Sequence, residues 1–215
     1  RRRHTRCSRD WSSDVCSSDL RSLIDTFEEI PVAAIDATTA VEDKTFWTNA
    51  GFDPLGFISA ALDTLAGSGR GGSTITQQLV RNVLLEPADF QGSVYQRKVK
   101  EIVQAIRVTR TYPGIEGKRT IMRAYLNSNY YGSRAYGLRA AAEEYFGITD
   151  LSKLSLGQIA LLVGIPQAPT KYDLRSAAVA DAKGVLQVAL DSPAAQRRLT
   201  VLNALNNAQI GRAHV

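Results

Sequence analysis

Cysteine and histidine are nearly absent. The 215 residues hold two of each, Cys7, Cys16, His4 and His214, and all four lie close to an end. The ends themselves do not read as native protein. DVCSSD (14–19) back-translates to GAC GTG TGC TCT TCC GAT, and the reverse complement of that DNA encodes IGRAHV, the last six residues. One short DNA read on opposite strands thus accounts for both stretches, as a sequencing adaptor flanking an insert does. Residues 1–20 and 210–215 are therefore set aside as non-native tails, in the way expression scars are excluded from fold reasoning. Residues 21–209 remain, read as one domain cut from a longer protein. This stretch has no cysteine and no histidine. That excludes disulfide and thiol redox chemistry, zinc fingers and histidine-dependent triads.

Excess positive charge is also scarcer than it looks. The whole chain carries +5. Five arginines against three aspartates in residues 1–20, together with Arg212, account for three of those charges and leave +2. The pI of about 9.3 overstates how basic the domain is, so a nucleic-acid partner is not expected. Long hydrophobic runs are missing too. The longest compact one, IALLVGI (159–165), falls far short of the roughly 18 residues of a membrane span. An anchor can still lie beyond either cut.

What is present is helical patterning, long enough for one domain with a real core. FDPLGFISAALDTLAG (52–67) is apolar on a helical period, and SGRGG (68–72) forms a basic loop after it. Ser73 is placed to N-cap TITQQLVRNVLL. A long helix over 93–111 puts Val99, Ile102, Val103 and Ile106 on one side and stops at Tyr112-Pro113-Gly114. Helices follow to about Asn127, with Ile121, Met122, Tyr125 and Leu126 inward, and over 135–146, closed by Gly147. Ser155 and Gln158 fit a capping box before IALLVG. Ser192-Pro193 opens a last helix with Leu199, Leu202 and Leu205 apolar. Alternating strand patterns are scarce.

Three polar stretches stand out. AVEDKTFW (40–47) sets Glu42 and Asp43 among bulky apolar residues, where an unpaired charge is costly. GGSTITQQLVRN (71–82) offers glycines, hydroxyls and a Gln–Gln pair at a helix start, suited to a sugar or phosphate. RKVKE (97–101) puts Arg97, Lys98 and Glu101 on one helical face. That is either a surface ion pair or an anion site with a carboxylate beside it. Taken singly, each stretch has an ordinary structural explanation.

Together and in order, they resemble the glycosyltransferase family 51 domain, the peptidoglycan glycosyltransferase module of bifunctional class A penicillin-binding proteins. The family pattern Glu-Asp-x-x-Phe-x-x-His-x-Gly matches Glu42, Asp43, Phe46 and Gly51. Gly-Gly-Ser-Thr-Ile-Thr-Gln-Gln-Leu matches Gly71 to Leu79 without a gap, and Arg-Lys-x-x-Glu matches Arg97, Lys98 and Glu101. The fourth pattern matches Lys118, Ile121, Met122, Tyr125, Leu126 and Asn127. Tyr136 to Gly147 and GIPQAPTKYD (164–173) continue the likeness. Three positions depart: Asn49 stands where the family usually has His, Arg81 where Lys is usual, and Arg123 where an acidic residue is common.

The resemblance implies a mainly α, lysozyme-like domain of two lobes with a central cleft, the smaller lobe touching the membrane near residues 52–67. It implies that Glu42 is the general base that deprotonates the 4-hydroxyl of the acceptor sugar of lipid II. That oxygen attacks C1 of a lipid-pyrophosphate-linked glycan chain and inverts it to a β-1,4 link. The flanking aromatics are expected to raise the base's pKa by desolvation. Glu101 is the second catalytic carboxylate, orienting cations or holding a divalent metal (Mg or Mn) at the diphosphate. Arg81, Arg97 and Lys98 answer the developing negative charge. Asp43, Ser73, Thr76, Gln78 and Asn127 are expected to bind substrate. The resemblance also implies the extracytoplasmic face of a bacterial cytoplasmic membrane and a C-terminal transpeptidase domain in the full-length protein. Two other readings stay open: a lysozyme-like lytic enzyme, which has no use for an Arg-Lys anion site, and a silent glycan-binding domain, toward which Asn49 leans.

Overall fold

The computed structural model describes residues 20–65, 71–181 and 186–208. The two tails, apart from Leu20, and most of the 68–72 loop lie outside the described residues. The fold is mainly α. Its helices are α1 (Val32–Glu42), α2 (Pro54–Leu65), α3 (Ile75–Val83), α4 (Val94–Thr111), α5 (Gly114–Ser128), α6 (Leu138–Phe146), α7 (Leu156–Gly164) and α8 (Pro193–Asn207). Strands β1 (Leu20–Arg21) and β2 (Ala135–Tyr136) pair in parallel, and β3 (Ala178–Ala180) and β4 (Leu186–Val188) pair antiparallel.

The expected helix signals hold at most ends. Gly147 caps α6 in the left-handed region at φ 66°. Ser155 and Gln158 form the capping box of α7, and Ser192 accepts from the Ala195 amide at the start of α8. Besides the start of α6, at Leu138 because Ala135 and Tyr136 form β2, two expectations shift. The cap of α3 is Thr74 rather than Ser73: its hydroxyl accepts from the Gln77 amide while Gln77 Oε1 accepts from the Thr74 amide. The second shift concerns α4, where Val99 and Val103 are exposed and Glu101 and Ala105 are buried. An apolar stripe faces out because a neutralised carboxylate faces in.

Helix α1 had no signal of its own. VAAIDATTAVE is apolar almost all round, so no stripe marks it, yet six of its eleven residues are buried. Thr38 and Thr39, poor helix formers, return their hydroxyls to the Ala34 and Ile35 carbonyls one turn back. Helix α8 packs on α7 and α1, and α3 packs on α4 and α5. Helix α1 thereby delivers its last residue, Glu42, between α3 and α8.

Gly51 joins three site-bearing segments. Its carbonyl accepts from the Thr74 hydroxyl at 2.8 Å. Its φ is +91°, and a Cβ there would lie 2.4 Å from the Ala105 carbonyl of α4. Gly51→Ala is therefore expected to cost about 3 kcal/mol from backbone strain and overpacking. That lowers Tm by roughly 6–12 °C for a domain of this size. Thermal unfolding checks it; an unchanged Tm would remove Gly51 as the contact point.

Candidate active site

Asp43 is the strut on which the site is built. It is buried, and its two oxygens are filled: Ile75 N donates at 3.1 Å, Asn49 Nδ2 at 3.0 Å to each oxygen, and the Thr45 hydroxyl at 3.1 Å. Burial pushes its carboxyl up, against the downward pull of those hydrogen bonds and of Lys118. Asn49 turns its other end to Gly51 N (2.9 Å) and Lys118 Nζ (3.1 Å). The Lys118 ammonium lies 4.7 Å over the Phe46 ring, and burial lowers its pKa. Asn49 thus bridges an anion and a cation, donating to one and accepting from the other. Asp43 ties the end of α1 to the first turn of α3, and both of its oxygens accept hydrogen bonds from the protein.

Glu42 is held at both oxygens. Gln78 Nε2 donates to Oε2 at 3.1 Å, and Arg197 Nη2 donates to Oε1 at 2.9 Å. The Gln78 amide is itself oriented: the buried Tyr125 hydroxyl donates to its Oε1 at 3.1 Å, leaving the NH₂ for the carboxylate. Burial, helped by the Glu42 charge, raises the Tyr125 pKa well above its ordinary value. Tyr125 therefore stays a proton donor at any working pH. Phe46 is buried in the core with Trp47 edge-on at 5.0 Å.

A second carboxylate is held one turn further along the same face of α3, by Arg81 rather than Gln78. Glu101 is 1% exposed and is gripped by Arg81, whose Nε and Nη2 donate to its two oxygens at 2.9 and 3.0 Å. Lys98 Nζ lies 3.4 Å and Arg97 Nε 3.7 Å from the same group. Burial pushes the Glu101 carboxyl up, but Arg81 and Lys98 outweigh it, and the net direction is down. Burial lowers Lys98, with the Glu101 charge opposing. Three cations on one carboxylate leave two positive charges in excess. Ser73 joins the two centres. Its hydroxyl accepts from Lys98 Nζ at 2.7 Å and Arg81 Nη2 at 3.5 Å, and its carbonyl accepts from Gln78 Nε2 at 3.5 Å. Because Thr74 took over the capping role, the Ser73 side chain is free for this.

Two further expected binding residues lie elsewhere. Thr76 is fully buried and its hydroxyl has no hydrogen-bond partner. It lies on the same face of α3 as the buried Leu79 and Val80. Thr76→Val is thus expected to leave activity unchanged and stability equal or higher by about 1 kcal/mol, since an unsatisfied hydroxyl disappears. A fall in activity at unchanged Tm would return Thr76 to the site. Asn127 grips the backbone of Ile24 with both ends of its amide, at 2.9 and 3.0 Å. It fastens the segment before α1 to α5. Arg123 reinforces that tie through the Asp25 carbonyl at 2.6 Å, which is what the cation in place of an acid does here.

The donor set at Glu101 does not fit a divalent metal. Both oxygens are engaged by Arg81, and the neighbouring groups are cations. Among the described residues no cluster of three His, Cys, Asp or Glu side chains forms a metal seat. The arrangement suits an anion held by ammonium and guanidinium groups. Sequence reasoning missed Arg197, which stands 155 positions from Glu42 in the chain. The only signal was a pair of arginines in a helix otherwise opening with small residues.

A family model described as Transglycosylase matches residues 13–205. Penicillin-binding protein 1A of Aquifex aeolicus is 42% identical over 151 residues, covering 69% of this chain and 19% of that protein. Penicillin-binding protein 1A/1B of Bacillus subtilis is 43% identical over 150 residues, covering 69% and 16%. Penicillin-binding protein 1A of Escherichia coli is 39% identical over 150 residues, covering 69% and 17%. The chain spans less than a fifth of the length of these curated relatives.

Proposed function

The chain belongs to the transglycosylase family, and from that premise we propose that it polymerises lipid II into β-1,4-linked glycan strands of peptidoglycan with inversion at the anomeric carbon. The observation that carries this is the pairing of two unlike centres across Ser73: a carboxylate held at both oxygens, and a cluster of three half-exposed cations around a buried carboxylate, with two positive charges to spare. Glu42 takes the proton of the acceptor 4-hydroxyl as that oxygen attacks C1 of the donor. The C1–O bond to the lipid diphosphate breaks, and the departing negative charge develops toward Lys98, Arg97, Arg81 and the Ser73 hydroxyl. Those cations are already bound to the protein's own carboxylate, so little rearrangement is required when the charge appears. Glu101 keeps them together. No metal is given a part, because the cations already do what a metal would do at the diphosphate.

A lytic hydrolase needs an acid at the scissile oxygen and has no use for a diphosphate site, so the Glu101 cluster favours transfer over hydrolysis. Asn49 does not favour a silent domain either, since it completes the bridge between Asp43 and Lys118. The lipid-linked substrates and the extracytoplasmic face of the bacterial membrane go with this reading. Apolar side chains are available for such a surface: Leu55, Phe57 and Ile58 on α2 and Tyr95, Val99 and Val103 on α4 are exposed. No described helix is long and apolar enough to cross a membrane. A transpeptidase domain following in the full-length protein is part of the same proposal.

The test is polymerisation of labelled lipid II in detergent, with products resolved on a gel. Glycan ladders support transfer. Shortened glycan from preformed strands, without ladders, would indicate a lytic enzyme. Binding of lipid II without either product would indicate a silent domain.

A further inference from the structure

Arg197 crosses from α8 to reach Glu42, and both side chains are largely buried, at 10% and 13% exposure. On the way its Nε lies 3.4 Å from the Gly164 carbonyl, at the end of α7. Gly164 has an ordinary helical backbone, with φ −72° and ψ −27°. Conformational freedom is therefore not why a glycine stands there, and glycine is a poorer helix former than alanine. Space is the reason. A Cβ on Gly164 would lie 2.8 Å from Arg197 Cγ, 3.7 Å from its Cβ and 3.8 Å from its Cδ. The missing methyl is the channel through which the arginine stem passes.

We infer that Arg197 is a positioning residue for the Glu42 carboxylate, a role that rests on the glycosyltransferase reading above. Gln78 fixes one oxygen from α3 and Arg197 fixes the other from α8. A carboxylate held at a single oxygen still swings about its last torsion; one held at both does not. Each oxygen accepts about two hydrogen bonds, so each keeps a lone pair for the acceptor hydroxyl. The last described helix thereby sets the angle from which Glu42 meets its substrate. Lysine cannot reproduce this, because only a guanidinium can address the Gly164 carbonyl and the carboxylate from one rigid fork.

The test compares initial rates of lipid II polymerisation by the 215-residue chain and by Arg197→Ala, Arg197→Lys and Gly164→Ala. For Arg197→Ala, kcat should fall roughly 10- to 100-fold with KM little changed, the loss expected when a reacting group is misplaced. Guanidinium ion at sub-denaturing concentration should restore part of that rate, which a purely structural defect would not allow. Arg197→Lys should fall between. Gly164→Ala should lower kcat, since the new methyl displaces the arginine stem, and Tm should fall, because loosening a largely buried pair outweighs the gain in helix propensity. Wild-type kcat in a folded Arg197→Ala overturns the inference. If that variant does not fold, wild-type kcat in both Arg197→Lys and Gly164→Ala overturns it. No polymer from the wild-type chain would remove the glycosyltransferase reading and this inference with it. Polymer from wild type and Arg197→Ala at equal rates would remove the inference alone.

Discussion

Glu42→Gln should slow lipid II polymerisation by roughly 100- to 10,000-fold, the contribution typical of a positioned general base. The substitution keeps size and shape but removes the site that accepts the proton. It also disturbs the surroundings in a readable way. Both partners of Glu42 are donors, Gln78 Nε2 on one oxygen and Arg197 Nη2 on the other. A glutamine has one oxygen to offer, so its own NH₂ must face one of them. A largely buried donor is left unpaired, at a cost of about 1–3 kcal/mol, and Tm should drop modestly. The two effects separate: a folded variant with bound lipid II and no ladder identifies Glu42 as the base. A ladder at more than a tenth of the wild-type rate would remove that role while leaving the activity in place. Glu42→Asp should fall in between, retaining the charge but losing a methylene of reach.

The site was partly legible in the sequence, and the unread portion has physical causes. Glu42, Gln78, Arg81, Arg97, Lys98 and Glu101 could be gathered because each sits in a short run whose spacing is meaningful on its own. Arg97, Lys98 and Glu101 share a helical face, as i,i+3 and i,i+4 spacing requires. Ser73 and Thr76 are different. Both hydroxyls suit a sugar. Thr76 shares a helical face with Leu79 and Val80, three and four residues on, and is buried with them, whereas Ser73 precedes the helix and lies beside Lys98. Asn127 and Arg197 depend on tertiary contacts at separations of 103 and 155 residues, which local periodicity does not reach. Helix α4 misled for a related reason. Val99 and Val103 made the obvious apolar stripe, and only the presence of Arg81 on a neighbouring helix allows Glu101 to be the buried face. Helix α1 offered periodicity little to detect, because Asp36, Thr38, Thr39 and Glu42 share their half of the helix with Val32 and Ile35, and Thr38, Thr39 and Ile35 are all buried.

Asp43 and Asn49 show how one substitution inside a motif can be absorbed. The position asks for a side chain that donates toward Asp43 and accepts from Lys118. An asparagine amide does both without titrating, with Nδ2 on the carboxylate and Oδ1 on the ammonium. Its Oδ1 also takes the Gly51 amide, which ties the same loop to the tight approach on α4. The strut under Glu42 is therefore complete with Asn49 in place.

Glu101→Gln should damage the fold of the site about as much as Gly51→Ala does. It leaves Arg81, Lys98 and Arg97 without their anion. Breaking a buried pair by removing one partner typically costs 3–5 kcal/mol; about 3 is expected here, because Arg81 is 38% exposed and keeps much of its water. Polymerisation should fall roughly 100-fold or more, as the cations that meet the leaving diphosphate separate. A pH series distinguishes this from a simple packing defect. The folded-state pKa of Glu101 is depressed below its ordinary 4.5. Its stabilising contribution is therefore fully present above that value and is lost as pH falls through the folded one. Asp43, raised by burial, has the opposite sign: the folded state holds its proton more tightly, so acid favours the fold at that group. Asp43 contributes equally to both proteins, so the Tm advantage of wild type over Glu101→Gln should shrink as pH drops below about 4.5. Parallel Tm curves for the two proteins would mean that the Glu101 carboxylate is not coupled to the cations, and the anion site would have to be sought elsewhere.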